Sequence, residues 1–211
     1  MSVLKSDFSD PVRAPLVVLF VETRGFTRIS EILEPAVVIA RLSEFFALVT
    51  GAVERYDGVV IDILNDNLIA AFDGDGDSMR AVQAAQDIQR KFTALEESWS
   101  QQYGVRAATS MGLHSGTAVV GLASGGKNAG QRHVVGDAVS VAERLLHRAC
   151  AGEIVMSKTV HDALAIAVQE KEAQEAKQFM KEAMSWVPRW AEGLPVDCEV
   201  GMGYNYADTD K

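Results

Sequence analysis

The sequence predicts a domain of α+β or α/β class, in which strands and helices mingle around one sheet, and three observations carry that expectation. LVVLFVE, residues 16–22, is a short continuous apolar run rich in Val and Leu, the pattern of a strand buried on both faces. Beyond it Val38, Leu42, Phe45, Val49 and Val53 recur at helical spacing. The segment VVIDILNDNLIAAF then reads as two strands meeting at Asn65, Asp66 and Asn67.

Composition sets the scale. With 211 residues, 48% hydrophobic and 23% charged, the chain can bury one core, with little left for a second. A net charge of −9 opposes a broad grip on DNA, RNA or an anionic membrane face, so neither partner is expected, although a local basic cleft for one triphosphate stays possible. Cys150 and Cys198 are too few for a disulfide framework, and MSVLKSDFSDPVRAP lacks the apolar run of a signal peptide. The apolar run Leu16–Val21 falls far short of the roughly 20 residues that span a bilayer. The expected location is cytoplasmic, without a membrane anchor.

In chain order, a polar leader over residues 1–14 is closed by Pro15 and followed by the first core strand. Gly25 breaks that strand, a long amphipathic helix runs from Pro35 to Tyr56, and the turn signal Asp57-Gly58 introduces the hairpin. Ala81, Ala84, Ala85, Ile88, Phe92 and Leu95 form a second helical stripe, with Asp77 placed to accept hydrogen bonds from its first turn. Past Gly104, VRAATSMGLHSGTAVVGL reads as two strands joined around His114, Ser115 and Gly116. RHVVGDAVSVAERLLHRA gives a brief strand, a Gly136-Asp137 turn and a helix with Val139, Ala142, Leu146 and Ala149 on one side; EIVMS adds a strand. From Val160 to Met184 the chain turns into charged helix of alternating sign, and a tail punctuated by Pro188, Gly193 and Pro195 ends it.

Two motifs fail on inspection. GLASGGKN, residues 121–128, nearly matches a phosphate-binding G-x-x-x-x-G-K-[ST] loop, but Asn128 replaces the metal-binding hydroxyl and NAGQRH has no helical periodicity. A glycine-rich connecting loop is the better reading. Asp73, Asp75 and Asp77 imitate the start of a calcium loop, yet its glycine position falls on Ser78 and its bidentate glutamate position on Ala84, which leaves a solvated turn. His114, His133, His147 and His161 do not fall at zinc-ligand spacing.

Four blocks behave differently. VLFVETRGFTRISE resembles the opening motif of class III nucleotide cyclases, VLFADIRGFTxLSE, and GVVIDILNDNLIAAF, VRAATSMGLHSGTAVVG and RHVVGDAVSVAERL resemble the next three blocks of that family in the same order. The resemblance covers about Val17 to Ser157 and implies an α+β fold: a ferredoxin-like βαββαβ core with a mixed, largely antiparallel sheet covered by helices. It places a cyclase homology domain at residues 15–159, and the C-terminal helix and tail, 160–211, are expected to pack on it.

The chemistry implied is attack of a ribose 3′ oxygen on the α-phosphorus of the same nucleoside triphosphate, giving a 3′,5′-cyclic monophosphate and pyrophosphate. Two divalent cations, Mg or Mn, are the implied cofactors. By resemblance their ligands are Glu22, where the family has Asp, and Asp66 at the hairpin tip. Backbone amides of Thr23, Arg24, Gly25, Phe26 and Thr27 would cradle the outer phosphates. The family's ribose-orienting Asn and charge-stabilising Arg fall on Ser140 and Arg144, four residues apart on one helix face. The base-selecting pair falls on Asp62 and His133. An ionised Asp62 cannot serve the acceptor ring nitrogen of adenine, whereas guanine and uracil present a ring N–H beside a carbonyl. The expectation is a cyclase favouring GTP or UTP over ATP, in an antiparallel homodimer whose subunits share each site. The competing expectation is a catalytically silent module that dimerises or binds a nucleotide or partner, because Glu22, Asp62, His133 and Ser140 all depart from the family pattern.

Overall fold

The computed structural model describes residues 2–6, 10–122, 132–164 and 178. The chain divides into two units, Met1–Ala163 and Leu164–Lys211. All elements below belong to the first; the expected charged helix and tail fall almost wholly outside the described residues.

The first strand, β1 (Val12–Arg24), is thirteen residues long and buried without interruption from Leu16 to Val21. It begins three residues before Pro15, so the expected leader is partly strand. Proline is tolerated there because β3 (Asn67–Phe72) pairs with β1 only between Val17 and Glu22; at Pro15 that side of β1 has no ladder to feed. On its other side β1 pairs antiparallel with β4 (Ala108–Leu122) along its whole length, from Val12 opposite Val120 to Arg24 opposite Ala108.

This ladder corrects the second expected hairpin. His114, Ser115 and Gly116 are mid-strand residues opposite Val18, Val17 and Leu16. A turn signal read from local composition yields to a partner strand long enough to keep the segment extended. The true hairpin joins β2 (Val59–Leu64) to β3 through Asn65 and Asp66, with Asn65 in the left-handed region at φ 55°. The sheet order is β2-β3-β1-β4-β5, with β5 (Arg132–Val135) antiparallel to the last residues of β4 and β6 (Ile154–Met156) parallel to its earlier ones.

Helices cover both faces. The short α1 (Phe26–Ile32) follows β1, and α2 (Pro35–Arg55) packs on α3 (Asp77–Tyr103) through Phe45, Phe92 and Trp99, whose rings meet edge-on at 5.8 and 5.6 Å. By length and composition α2 is apolar enough to cross a membrane, but Phe45, Val49, Ala52 and Val53 are fully buried in this core. Asp77 lies within the first turn of α3 rather than before it; Gly76 is the cap, and Asp77 Oδ1 accepts the Ser78 amide at 2.6 Å.

On the opposite face α4 (Asp137–Arg148) lays Ala138, Ala142 and Leu146 on Leu16, Val18 and Phe20 of β1. α5 (Lys158–Asp162) closes the described unit. Leu4, from the expected leader, is buried in this cluster, and Asp73 accepts the Leu4 amide at 3.0 Å, the Val3 amide and the Ser2 hydroxyl at 2.7 Å. Asp73 is therefore a nearly buried anchor for the start of the chain, not a solvated turn residue.

Contact between α4 and β4 is close enough to specify one amino acid. A Cβ on Gly112 would lie 2.3 Å from the Leu146 amide nitrogen and 2.4 Å from the Ala142 carbonyl oxygen, both backbone atoms that cannot swing aside. Between the segments paired with β6 and β5, β4 borders a cleft of about 470 Å³ lined by Arg13, His114, Gly116, Thr117, Gly136 and Asp137. Burial holds His114 below the ordinary histidine pKa; Arg144 acts in the same direction and Asp137 opposes it, and Nδ1 is buried without a hydrogen-bond partner.

Two outcomes follow. Gly112→Ala destabilises the domain by about 3 kcal/mol, read as a lower urea midpoint at unchanged slope, because α4 must lift off the sheet. Because the unfolded chain protonates His114 more readily than the folded one, stability falls as pH drops below about 6.5 toward the lower folded pKa. Thermal unfolding between pH 8 and pH 5 shows that slope reduced in His114→Gln; an unchanged slope would assign the pH dependence elsewhere.

Candidate active site

The end of β1 gathers the acidic positions. Glu22 faces Asn67 on β3 and Ser110 on β4, and the pleat puts these three side chains in one row on the α4 side of the sheet. Asp66 sits in the two-residue hairpin immediately before Asn67, and its backbone carbonyl accepts the Thr23 amide at 3.4 Å. Glu22 and Asp66 are thus set at the same end of the sheet by two adjoining ladders.

The fit of this end to a divalent cation can be judged from its donors. Both carboxylates supply hard oxygen, and Asn67 Oδ1, directly across the ladder from Glu22, is buried without a hydrogen-bond partner. No cluster of three or more acidic, histidine or cysteine ligands occurs among the described residues. Two carboxylates suffice for magnesium or manganese when substrate phosphates complete the shell, so the residues fit a metal that arrives with a triphosphate.

The expected phosphate cradle lies at the turn from β1 into α1. Gly25 caps α1 at φ 87°, and a Cβ there would meet the Arg106 carbonyl at 2.9 Å, so only glycine makes this turn. Phe26 and Thr27 open α1, where first-turn amides have no intrahelical acceptor. The Thr23 amide is engaged by Asp66, and the Arg24 residue ends the β1 ladder opposite Ala108. Arg24 contributes most through its side chain, which sequence reasoning passed over. Nη1 pairs with Glu22 Oε1 at 3.2 Å, Nε donates to Ser110 Oγ at 3.0 Å, and Nη2 donates to the carbonyls of Leu146 at 3.2 Å and Ala149 at 3.1 Å. Arginine beside glutamate at i, i+2 in a strand was the available signal, since that spacing puts both on one face.

Ser140 and Arg144 project from the exposed side of α4, opposite Ala138, Ala142 and Leu146, and Arg144 Nε donates to the Ser140 carbonyl at 3.3 Å. Neither makes a hydrogen bond or ion pair with Glu22 or Asp66 of the same chain. Asp62 follows a bulge in β2, and its Oδ1 accepts the Ile63 amide at 2.8 Å. His133 is an exposed residue of β5 opposite Gly121. The edge strands β2 and β5 approach each other, with Ile61 and Val134 in one apolar cluster; Asp62 lies opposite Ile69 on that cluster's side of the sheet, whereas His133 alternates with Val134 and turns to the other face.

Comparison with known proteins gives this geometry a family. Residues 11–186 match the family described as the adenylate and guanylate cyclase catalytic domain. An adenylate cyclase of Anabaena cylindrica is 31% identical over 134 residues, which are 62% of this chain and 26% of the relative, so the chain spans about a quarter of that protein. Among solved structures, the adenylyl cyclase CyaB from P. aeruginosa superposes with a TM-score of 0.68 at 25% identity, covering 73% of this chain and 82% of that one. The guanylyl cyclase Cya2 shares the fold with a TM-score of 0.68 at 24% identity, over 75% of this chain and 82% of the other. The match begins one residue before β1 reaches Val12 and extends past the last described helix. With most of its length matched and its mixed sheet shared with these structures, the chain belongs to the adenylate and guanylate cyclase catalytic domain family.

Proposed function

We propose that this chain converts a nucleoside triphosphate, GTP or UTP in preference to ATP, into its 3′,5′-cyclic monophosphate and pyrophosphate as an intracellular signal, acting in the cytoplasm. The observation that carries this reading is the placement of Glu22 and Asp66 at one end of the sheet, joined by the Thr23–Asp66 backbone hydrogen bond. Two divalent cations, Mg or Mn, held by these carboxylates would favour the ionised 3′ oxygen and neutralise the leaving pyrophosphate. The first-turn amides of Phe26 and Thr27 hold the outer phosphates. The 3′ oxygen forms a bond to the α-phosphorus, the bond from that phosphorus to the pyrophosphate oxygen breaks, and the hydroxyl proton leaves to solvent.

Arg144 and Ser140 serve the transition state from a second copy. Their exposed side of α4 and their lack of contact with Glu22 and Asp66 support a site completed across an antiparallel homodimer, with the Arg144 guanidinium beside the phosphate oxygens as charge grows there. Asp62 keeps Oδ2 free of hydrogen bonds among the described residues, an acceptor suited to the ring N–H of guanine or uracil, and the His133 imidazole can donate to the neighbouring carbonyl.

The test is turnover of ATP, GTP, CTP and UTP, each with magnesium and then manganese, with cyclic products identified by mass spectrometry. Cyclic GMP or cyclic UMP is expected, lost in both Asp66→Ala and Arg144→Ala, and restored when the two inactive variants are mixed so that one intact site forms per dimer. Cyclic AMP as the main product would overturn the base assignment. No product from any triphosphate by a folded dimer would overturn the enzyme reading in favour of a silent binding module.

A further inference from the structure

The Arg24 side chain bears on the Glu22 carboxylate beside it. Its guanidinium is fixed on three sides by groups with little freedom. Ser110 Oγ, which accepts from Nε, is itself fully buried and donates to the Cys150 carbonyl at 2.9 Å. The Leu146 and Ala149 carbonyls lie at the C-terminal end of α4, where the helix dipole favours a cation. The fourth partner, Glu22 at 3.2 Å, is the one flexible member, a side chain 15% exposed at the mouth of the site. The glutamate therefore already has a counter-cation, and that cation is held in place by its three other partners.

We infer that Arg24 is a positioning residue that competes with the incoming divalent cation for Glu22 and so sets the metal affinity of the Glu22–Asp66 site. This rests on the metal-site reading above. To bind a metal between its own carboxylate and Asp66, Glu22 must release a fixed positive charge in a partly desolvated setting, where such a pair is screened less than at the open surface. The metal then enters against a standing electrostatic cost, and the free protein keeps Glu22 neutralised until the phosphates of a nucleotide add the charge that tips the exchange. Chain length matters too. An aspartate at position 22 is one methylene shorter, reaches Arg24 poorly, and leaves all three fixed partners of the guanidinium in place.

The test is manganese binding to the full chain without nucleotide, read by loss of the free Mn(II) electron paramagnetic resonance signal, for the wild type, Asp66→Ala, Arg24→Met and Glu22→Asp. Weak binding by the wild type, lost in Asp66→Ala, establishes the site. The proposal expects Arg24→Met and Glu22→Asp to bind manganese about tenfold more tightly than the wild type. A purely structural Arg24 would give the opposite sign, since losing the tie to α4 loosens the site. Equal or weaker binding in both variants, with Asp66-dependent binding intact in the wild type, overturns the competition. No Asp66-dependent binding in any of the four proteins overturns the metal reading on which it stands. Should Arg24→Met fail to fold by circular dichroism, Glu22→Asp decides the matter, because it disturbs none of the contacts that hold α4.

Discussion

The antiparallel ladder between β1 and β4 is the constraint on which the rest of the structure depends. It runs without a break from Val12–Val120 to Arg24–Ala108, and its register decides which residues face which layer. Leu16, Val18, Phe20, Glu22 and Arg24 share one side with α4, while Val17, Leu19 and Val21 turn toward the α2 and α3 layer. Because the side-chain period of a strand is two, a slip of one residue would carry Glu22 and Arg24 to the wrong layer and bring Thr23 to the site. Apolar pairing in the middle of the ladder thus aims the polar groups at its end.

Close packing extends that control to α4. At Gly112 the helix backbone descends onto β4 to a depth that any side chain would prevent, and this brings the C-terminal carbonyls of α4 within reach of Arg24. The same descent turns Ser140 and Arg144 outward. One contact between a glycine and a helix therefore accounts for two features of the site: an arginine held tightly beside Glu22, and a pair of polar side chains offered to a surface other than their own sheet. Ser140 and Arg144 thus stand on the side of α4 away from the sheet that carries Glu22.

Much of this was legible in the sequence where periodicity is strong. The apolar run before Glu22, the stripes of α2 and α3, and the strands around Asn65 and Asp66 each announce their element because burial on one or two faces leaves a period that composition cannot mimic. The ordered blocks around Glu22, Asp66 and Arg144 made the family readable as well. What failed was long-range. His114-Ser115-Gly116 looks like a turn until its partner strand is known, and Pro15 looks like a boundary until β3 is seen to stop short of it. Asp73 looks solvated because its partners, Ser2, Val3 and Leu4, are about seventy residues away. Arg24 escaped notice because the expected chemistry drew on its backbone, whereas its four partners are scattered over β1, β4 and the end of α4.

The anchoring of residues 2–6 separates two ideas of where this domain starts. Similarity to the family begins at residue 11, yet the apolar cluster beneath α4 counts Leu4 among its buried members, and Asp73 has its hydrogen bonds supplied by the residues around it. A boundary drawn where the match begins would cut through a hydrophobic core and strand a nearly buried carboxylate without the donors at Ser2, Val3 and Leu4. The stretch that matches the family and the stretch that excludes water differ, and here the second reaches further at its amino-terminal edge.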